Sequence, residues 1–118
     1  MIDLNKCKKL IEQALEYANG THTTDDIFRG IEKRQYQLWD AEKSCLITEI
    51  LEYPQKKVCH VFLGAGDLEE IMGMHESVIT WAKACGCTEL TVSGRAGWQK
   101  PLKKENWKHA YTTLYKEI

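Results

Sequence analysis

Two short peptides and one carboxylate carry most of the chemistry that this sequence can offer. Gly94-Arg95-Ala96-Gly97-Trp98 joins an arginine, two glycines and an indole, a set able to form a recognition edge for an acidic or carbonyl group. The same peptide reads as a structural corner, with Arg95 pairing a local carboxylate. That reading is favoured, because glycine-rich turns usually answer backbone needs. Glu49 lies among Ile47, Ile50 and Leu51. A carboxylate in such company has its pKa raised by desolvation if it faces a pocket. Strand alternation equally permits it to point to solvent. Leu63-Gly64-Ala65-Gly66 precedes Asp67, Glu69 and Glu70, and reads as a strand-to-helix turn into an acidic helix start.

Other groups offer less. Cys7, Cys45, Cys59, Cys85 and Cys87 are an odd number with no Cys-x-x-Cys pair. Cys45 and Cys59 fall in apolar strands and Cys7 and Cys85 on apolar helix stripes, as expected of buried free thiols. Cys85-x-Cys87 lacks the usual spacing of zinc ligands, so no metal site is assigned. Lys100, Lys103, Lys104 and Lys108 cluster beside Trp98, but a charge run is usually a solvated face, and a net charge of −1 gives no general drive toward nucleic acid. The amino terminus has no signal-peptide plan and no apolar run approaches the ~20 residues that span a bilayer, which points to an intracellular chain or one assembled into a particle inside a cell.

The elements that must position these groups follow from periodicity. Leu4, Cys7, Leu10, Ile11, Ala14, Leu15 and Ala18 predict a helix over Leu4–Tyr17, stopped by Asn19-Gly20. Thr24 is expected to cap a second, shorter helix with Asp25 and Asp26 in its first turn. Period two then predicts strands at Gln35–Trp39, Ser44–Glu52 and Lys57–Leu63, an antiparallel meander. Asp67 with Glu70 is an acidic variant of the capping box, opening one helix to Cys85 with Gly86 as its stop. Thr88–Ser93 reads as a strand and Trp98–Glu105 as a short helix, with Pro101 tolerated in its first turn. Trp107–Ile118 alternates and is expected to close the sheet. The chain of 118 residues is one domain, α+β, in the order α-α-β-β-β-α-β-α-β.

This order resembles the GNAT (N-acetyltransferase) superfamily over nearly the whole chain. Trp81-Ala82-Lys83-Ala84-Cys85-Gly86-Cys87 followed by Thr88-Glu89-Leu90-Thr91-Val92 resembles that family's alanine-rich helix, small-residue turn and apolar strand. Lys104-Glu105-Asn106-Trp107 resembles its turn before the last strand, with Asn106 able to take the left-handed conformation of the usual glycine. The resemblance implies an acetyl-CoA pyrophosphate held by Gln/Arg-x-x-Gly-x-Gly/Ala, matched here by Val61-Phe62-Leu63-Gly64-Ala65-Gly66. Val61 departs from the Gln/Arg position, and carboxylates at Asp67, Glu69 and Glu70 would repel the phosphates. It also implies a tyrosine about four residues before the turn, where this chain has Leu102; Tyr111 and Tyr115 are the tyrosines left. For an acceptor amine it implies a base on the central meander strand, which makes Glu49 the first candidate and His60 the next.

A closer resemblance is to short GNAT-like proteins of phages and prophages, carried by Tyr36-Gln37-Leu38-Trp39, Thr48-Glu49-Ile50 with Tyr53-Pro54, and Gly94–Trp98. Some of those are internal virion or core proteins of short-tailed phages. The resemblance implies a component of a virion or host cytoplasm with phage or virion proteins as partners, and Val61, the acidic helix start and Leu102 add the expectation of weak or absent acetyl-CoA binding, hence no cofactor and no catalysis. Arg95, Trp98, Lys103 and Lys104 are its candidate contacts. The alternative is an N-acetyltransferase that uses acetyl-CoA, with Glu49 and Tyr111 as catalytic candidates and Leu63–Gly66 holding the cofactor.

Overall fold

A computed structural model describes residues 3–118. Asp3 caps helix α1 (Leu4–Leu15), accepting the amides of Asn5 and Lys6. Helix α2 (Thr24–Glu32) is capped by Thr23 rather than Thr24. The reason is Asp26, whose carboxylate takes the Thr23 amide at 2.9 Å while the Thr23 hydroxyl takes the Asp26 amide at 3.2 Å, a reciprocal pair that needs a three-residue spacing.

The meander forms as β1 (Gln37–Asp40), β2 (Cys45–Glu52) and β3 (Lys57–Ala65). It is antiparallel throughout, with Gln37 opposite Thr48 and Glu49 opposite His60. One irregularity matters: Ile47 pairs with Leu63 but Thr48 pairs with Val61, so Phe62 is an extra residue that bulges β3. A fourth strand, β4 (Glu89–Val92), lies parallel to β3, with His60 opposite Thr91 and Val61 opposite Val92. The sheet order is β1-β2-β3-β4.

Each sheet face has its own core. Cys45, Ile47 and Leu63 bury against Cys7 and Ile11 of α1 and Ile27 of α2. Leu46 and Cys59 bury on the opposite face against Ile71, Val78 and Ala82. Every fully buried Ile or Val in these layers contributes roughly 1.5–3 kcal/mol of transfer free energy.

The single helix expected from Asp67 to Cys85 is two helices, α3 (Leu68–Gly73) and α4 (His75–Ala84), joined at Met74. The Met74 amide is shared between the carbonyls of Glu70 and Ile71, a tightened turn next to Gly73, which has low helix propensity. Gly86 ends α4 as expected: at φ +88° it lets the Cys87 amide reach the Ala82 carbonyl and its own amide reach that of Lys83. A 3-10 turn (Ala96–Trp98) leads into α5 (Gln99–Lys103), where Pro101 sits in the first turn.

The last expected strand does not form. Residues 107–118 have no strand pairing, and Tyr111, Leu114, Tyr115 and Ile118 are exposed. Alternation supplied the pattern, but a strand also needs an edge to pair with, and the tail does not lie on the free edge of β4. Asn106 nonetheless takes the left-handed conformation, at φ 68°.

Candidate functional site

Parallel pairing between β3 and β4 ends at Val61–Val92, with one more bond from the Ser93 amide to the Val61 carbonyl at 3.2 Å. Beyond that rung the strands part. The bulge at Phe62 turns β3 toward the start of α3, while Ser93-Gly94 leads away into the corner before α5. The gap is a cleft of about 870 Å³. Its walls are Phe62–Gly66, Tyr17 in the turn after α1, Ile71 and His75, and the Ser93–Arg95 and Trp98 corner. The cleft is open rather than filled by side chains, and the backbone of Phe62–Ala65 faces it without a strand partner on that side.

The turn into α3 is tightly built. Gly66 has φ +115°, and the Asp67 carboxylate accepts the amides of Glu69 at 2.9 Å and Glu70 at 3.2 Å. The expected return bond from Glu70 to Asp67 is replaced by a relay through buried Ser44. The Asp67 amide donates to the Ser44 hydroxyl at 2.8 Å, and that hydroxyl donates to Glu70 Oε1 at 2.7 Å. Two amides that could greet a phosphate are thus already occupied by a carboxylate. Val61 cannot assist, being packed in the apolar layer under α3 and α4.

Register brings a polar row together on the face that carries α1 and α2. Residues paired across strands share a face, so Glu49, His60 and Thr91 lie side by side. His60 Nδ1 is 2.7 Å from Thr91 Oγ1, and His60 Nε2 is 3.1 Å from Ser93 Oγ. Burial pushes the His60 pKa down and the Glu49 pKa up, with His22 partly opposing the rise at Glu49. The loop after α1 adds His22, whose Nε2 is 3.3 Å from the Tyr36 hydroxyl and whose ring meets Phe62 edge-on at 4.8 Å.

The cleft lining includes neither His60 nor Glu49, although Glu49 is half-buried on this face. Its raised folded pKa means that neutral Glu49 favours folding, and that this favour is lost as pH rises through the folded pKa. Glu49→Gln is expected to raise the melting temperature at pH 7 to 8 and to leave it unchanged well below pH ~4, the range of an unfolded glutamate. Thermal melts across pH test this; equal shifts at both ends would show that the carboxylate is not desolvated.

Arg95 stacks over the Tyr17 ring at 4.1 Å instead of pairing a carboxylate, and so ties the corner to the turn after α1 across the cleft. Trp98 packs on Gly94, where a β-carbon would lie 3.1 Å from its ring, and is part of the layer under α4 as well as the cleft wall. Lys103 and Lys104 are exposed at the end of α5. Leu102 is buried. Tyr111 is 76% exposed on the tail and is outside the cleft lining. Among the described residues no group of three or more potential ligands gathers for a metal, and no helix is long and apolar enough to cross a membrane. Burial pushes the Cys45 thiol up to about 12 and Cys59 up to about 11, so neither supplies a thiolate at neutral pH.

Ser93 and Thr91 escaped the sequence reading. The only signal for them was their two-residue spacing beside a strand, which places both hydroxyls on one face.

Solved structures supply the comparison that decides the fold. An aminoglycoside N-acetyltransferase in complex with CoA superposes with a TM-score of 0.69 at 14% identity, covering 98% of this chain and 88% of that one. An acetyltransferase of Trypanosoma brucei gives 0.67 at 8% identity, covering 98% and 93%. This chain has the GNAT acetyltransferase fold. Glucosamine-6-phosphate N-acetyltransferase of Arabidopsis thaliana gives 0.60 at 11% identity over 99% and 95% of the two chains. No protein-family profile matches the sequence, and no curated protein matches it. At such identities the likeness is one of fold, and residues 107–118 form no strand here.

Proposed function

We propose that this GNAT-fold chain transfers an acyl group from a pantetheine-type thioester, acetyl-CoA being the reference donor, to an amine. The observation that carries this is the open cleft where β3 and β4 part. An unpartnered strand edge over Phe62–Ala65 offers backbone amides and carbonyls to an extended, amide-bearing arm, in the manner of an added strand. The thioester would then lie near Ser93 and the polar row, where Glu49 or His60 can take a proton from the acceptor.

The start of α3 fits a pyrophosphate poorly, because Asp67 caps the amides that would bind it. The pantetheine arm should therefore supply most of the binding. Acetyl-CoA and acetyl-pantetheine are expected to bind within about tenfold of each other, a gap of roughly 1.4 kcal/mol. Asp67→Ala should cost about 1 kcal/mol of stability through the lost cap, yet tighten acetyl-CoA selectively. Calorimetry with both ligands is the test. No heat from either would remove the reading, and strong preference for acetyl-CoA by the unaltered chain would remove the account of the helix start.

A second reading keeps the fold as a protein-contact module, such as a virion or morphogenesis component of a phage. What favours it is the buried Leu102, together with exposed Tyr111, Leu114, Tyr115 and Ile118. In that case deletion of the tail after Trp107 abolishes association with the partner, while Glu49→Gln leaves it intact.

A further inference from the structure

We propose that Ser93 is an acyl-accepting nucleophile with His60 as its base, so that the cleft forms an acyl-serine before the acceptor is engaged. This rests on the thioester reading for the donor, but its geometry stands independently of that reading.

Three side chains make the arrangement. Ser93 Oγ is 3.1 Å from His60 Nε2, and His60 Nδ1 is 2.7 Å from Thr91 Oγ1. A neutral imidazole donates through one nitrogen and accepts through the other. With the proton on Nδ1 donated to Thr91, Nε2 is left to accept from the serine hydroxyl, which is the nucleophile–base–orienting-group relation of covalent catalysis. Ser93 is exposed and lines the cleft, whereas His60 is half-buried behind it, with its pKa lowered by desolvation, so that the ring is an unprotonated base at neutral pH. The backbone is fixed where this matters, since the Ser93 amide makes the last bond to β3.

The step balances within these groups. Ser93 Oγ forms a bond to the acyl carbon and its proton passes to His60 Nε2. The carbon–sulfur bond breaks, and the same proton passes from His60 to the leaving thiolate. The acceptor amine, or water, then attacks the ester carbon, the carbon–oxygen bond breaks, and the proton returns through His60 to Ser93 Oγ. His60 thereby supplies the leaving-group proton that buried Leu102 cannot supply.

The test uses the full chain and p-nitrophenyl acetate, an activated ester without a pantetheine arm. A stoichiometric burst of nitrophenolate is expected, with the acetyl group located on Ser93 by peptide mass spectrometry. Ser93→Ala, an exposed site at which the fold should be unaffected, is expected to lose the burst, and Ser93→Cys to keep it. His60→Gln should slow acylation by about 10²–10⁴-fold. A burst retained by Ser93→Ala, or an acetyl group found on Cys85, Cys87 or a lysine instead, overturns the proposal. Acetyl-CoA calorimetry is read separately: binding without a Ser93 burst removes the serine step alone, and a Ser93 burst without binding removes the thioester reading alone.

Discussion

Gly66→Ala is expected to lower stability by roughly 3–5 kcal/mol, a large share of the 5–15 kcal/mol that a domain of this kind has in total. Two independent penalties combine at this residue. Its φ of +115° is a conformation that side chains rarely adopt. A β-carbon there would also lie 2.2 Å from the Lys43 carbonyl oxygen and 2.6 Å from Ser44 Cα, both of them backbone atoms that cannot swing aside. Relief would have to come from moving α3 away from the start of β2, which breaks the Ser44 bridge to Asp67 and Glu70 and displaces one wall of the cleft. Urea titration should show a lower midpoint with an unchanged slope. Gly20→Ala is the control, because it shares a positive φ of +70° but meets nothing within 4 Å, and should cost only about 1 kcal/mol. Equal losses at the two positions would show that conformation alone, and not the contact with β2, holds Gly66.

Thr48→Val is expected to cost about 2 kcal/mol although it conserves volume at a fully buried site. The Trp39 indole donates to Thr48 Oγ1 at 3.0 Å, and that hydroxyl donates to Gln37 Oε1 at 2.9 Å. Valine fills the space but leaves a donor and an acceptor unpaired between β1 and β2. Trp39 also meets Trp81 of α4 edge-on at 5.7 Å, so loosening the indole should shift the native tryptophan fluorescence as well as the urea midpoint. In a double-mutant cycle with Trp39→Phe the two losses should not add, because each removes the same hydrogen bond. Additive losses would mean that Thr48 stabilises the sheet through something other than this chain of bonds.

Much of the scaffold is legible in the residues, because local spacing encodes it. The helix stripes, the period-two runs of the meander and the Gly86 stop each rest on local pattern, and the left-handed Asn106 is what the resemblance at Lys104–Trp107 implied. Errors arose where a nearby residue outvoted the pattern: Asp26 moved the α2 cap back to Thr23, and Gly73 with Met74 split the helix after Asp67.

The site was legible only in part. Gly64–Gly66, Glu49 and His60 stand out by type and by their place at strand ends or on inner strands. What the sequence by itself determined is an α+β chain of helices and strands in GNAT order, with a glycine turn before an acidic helix start and no tyrosine at Leu102. Tertiary structure alone decided the rest. It parted β3 from β4 at the Phe62 bulge, left the alternating tail unpaired, and set Ser93 against His60 from thirty-three residues away. The physical reason is that strand pairing and register join residues distant in sequence, so the faces they share depend on partners that no local window contains.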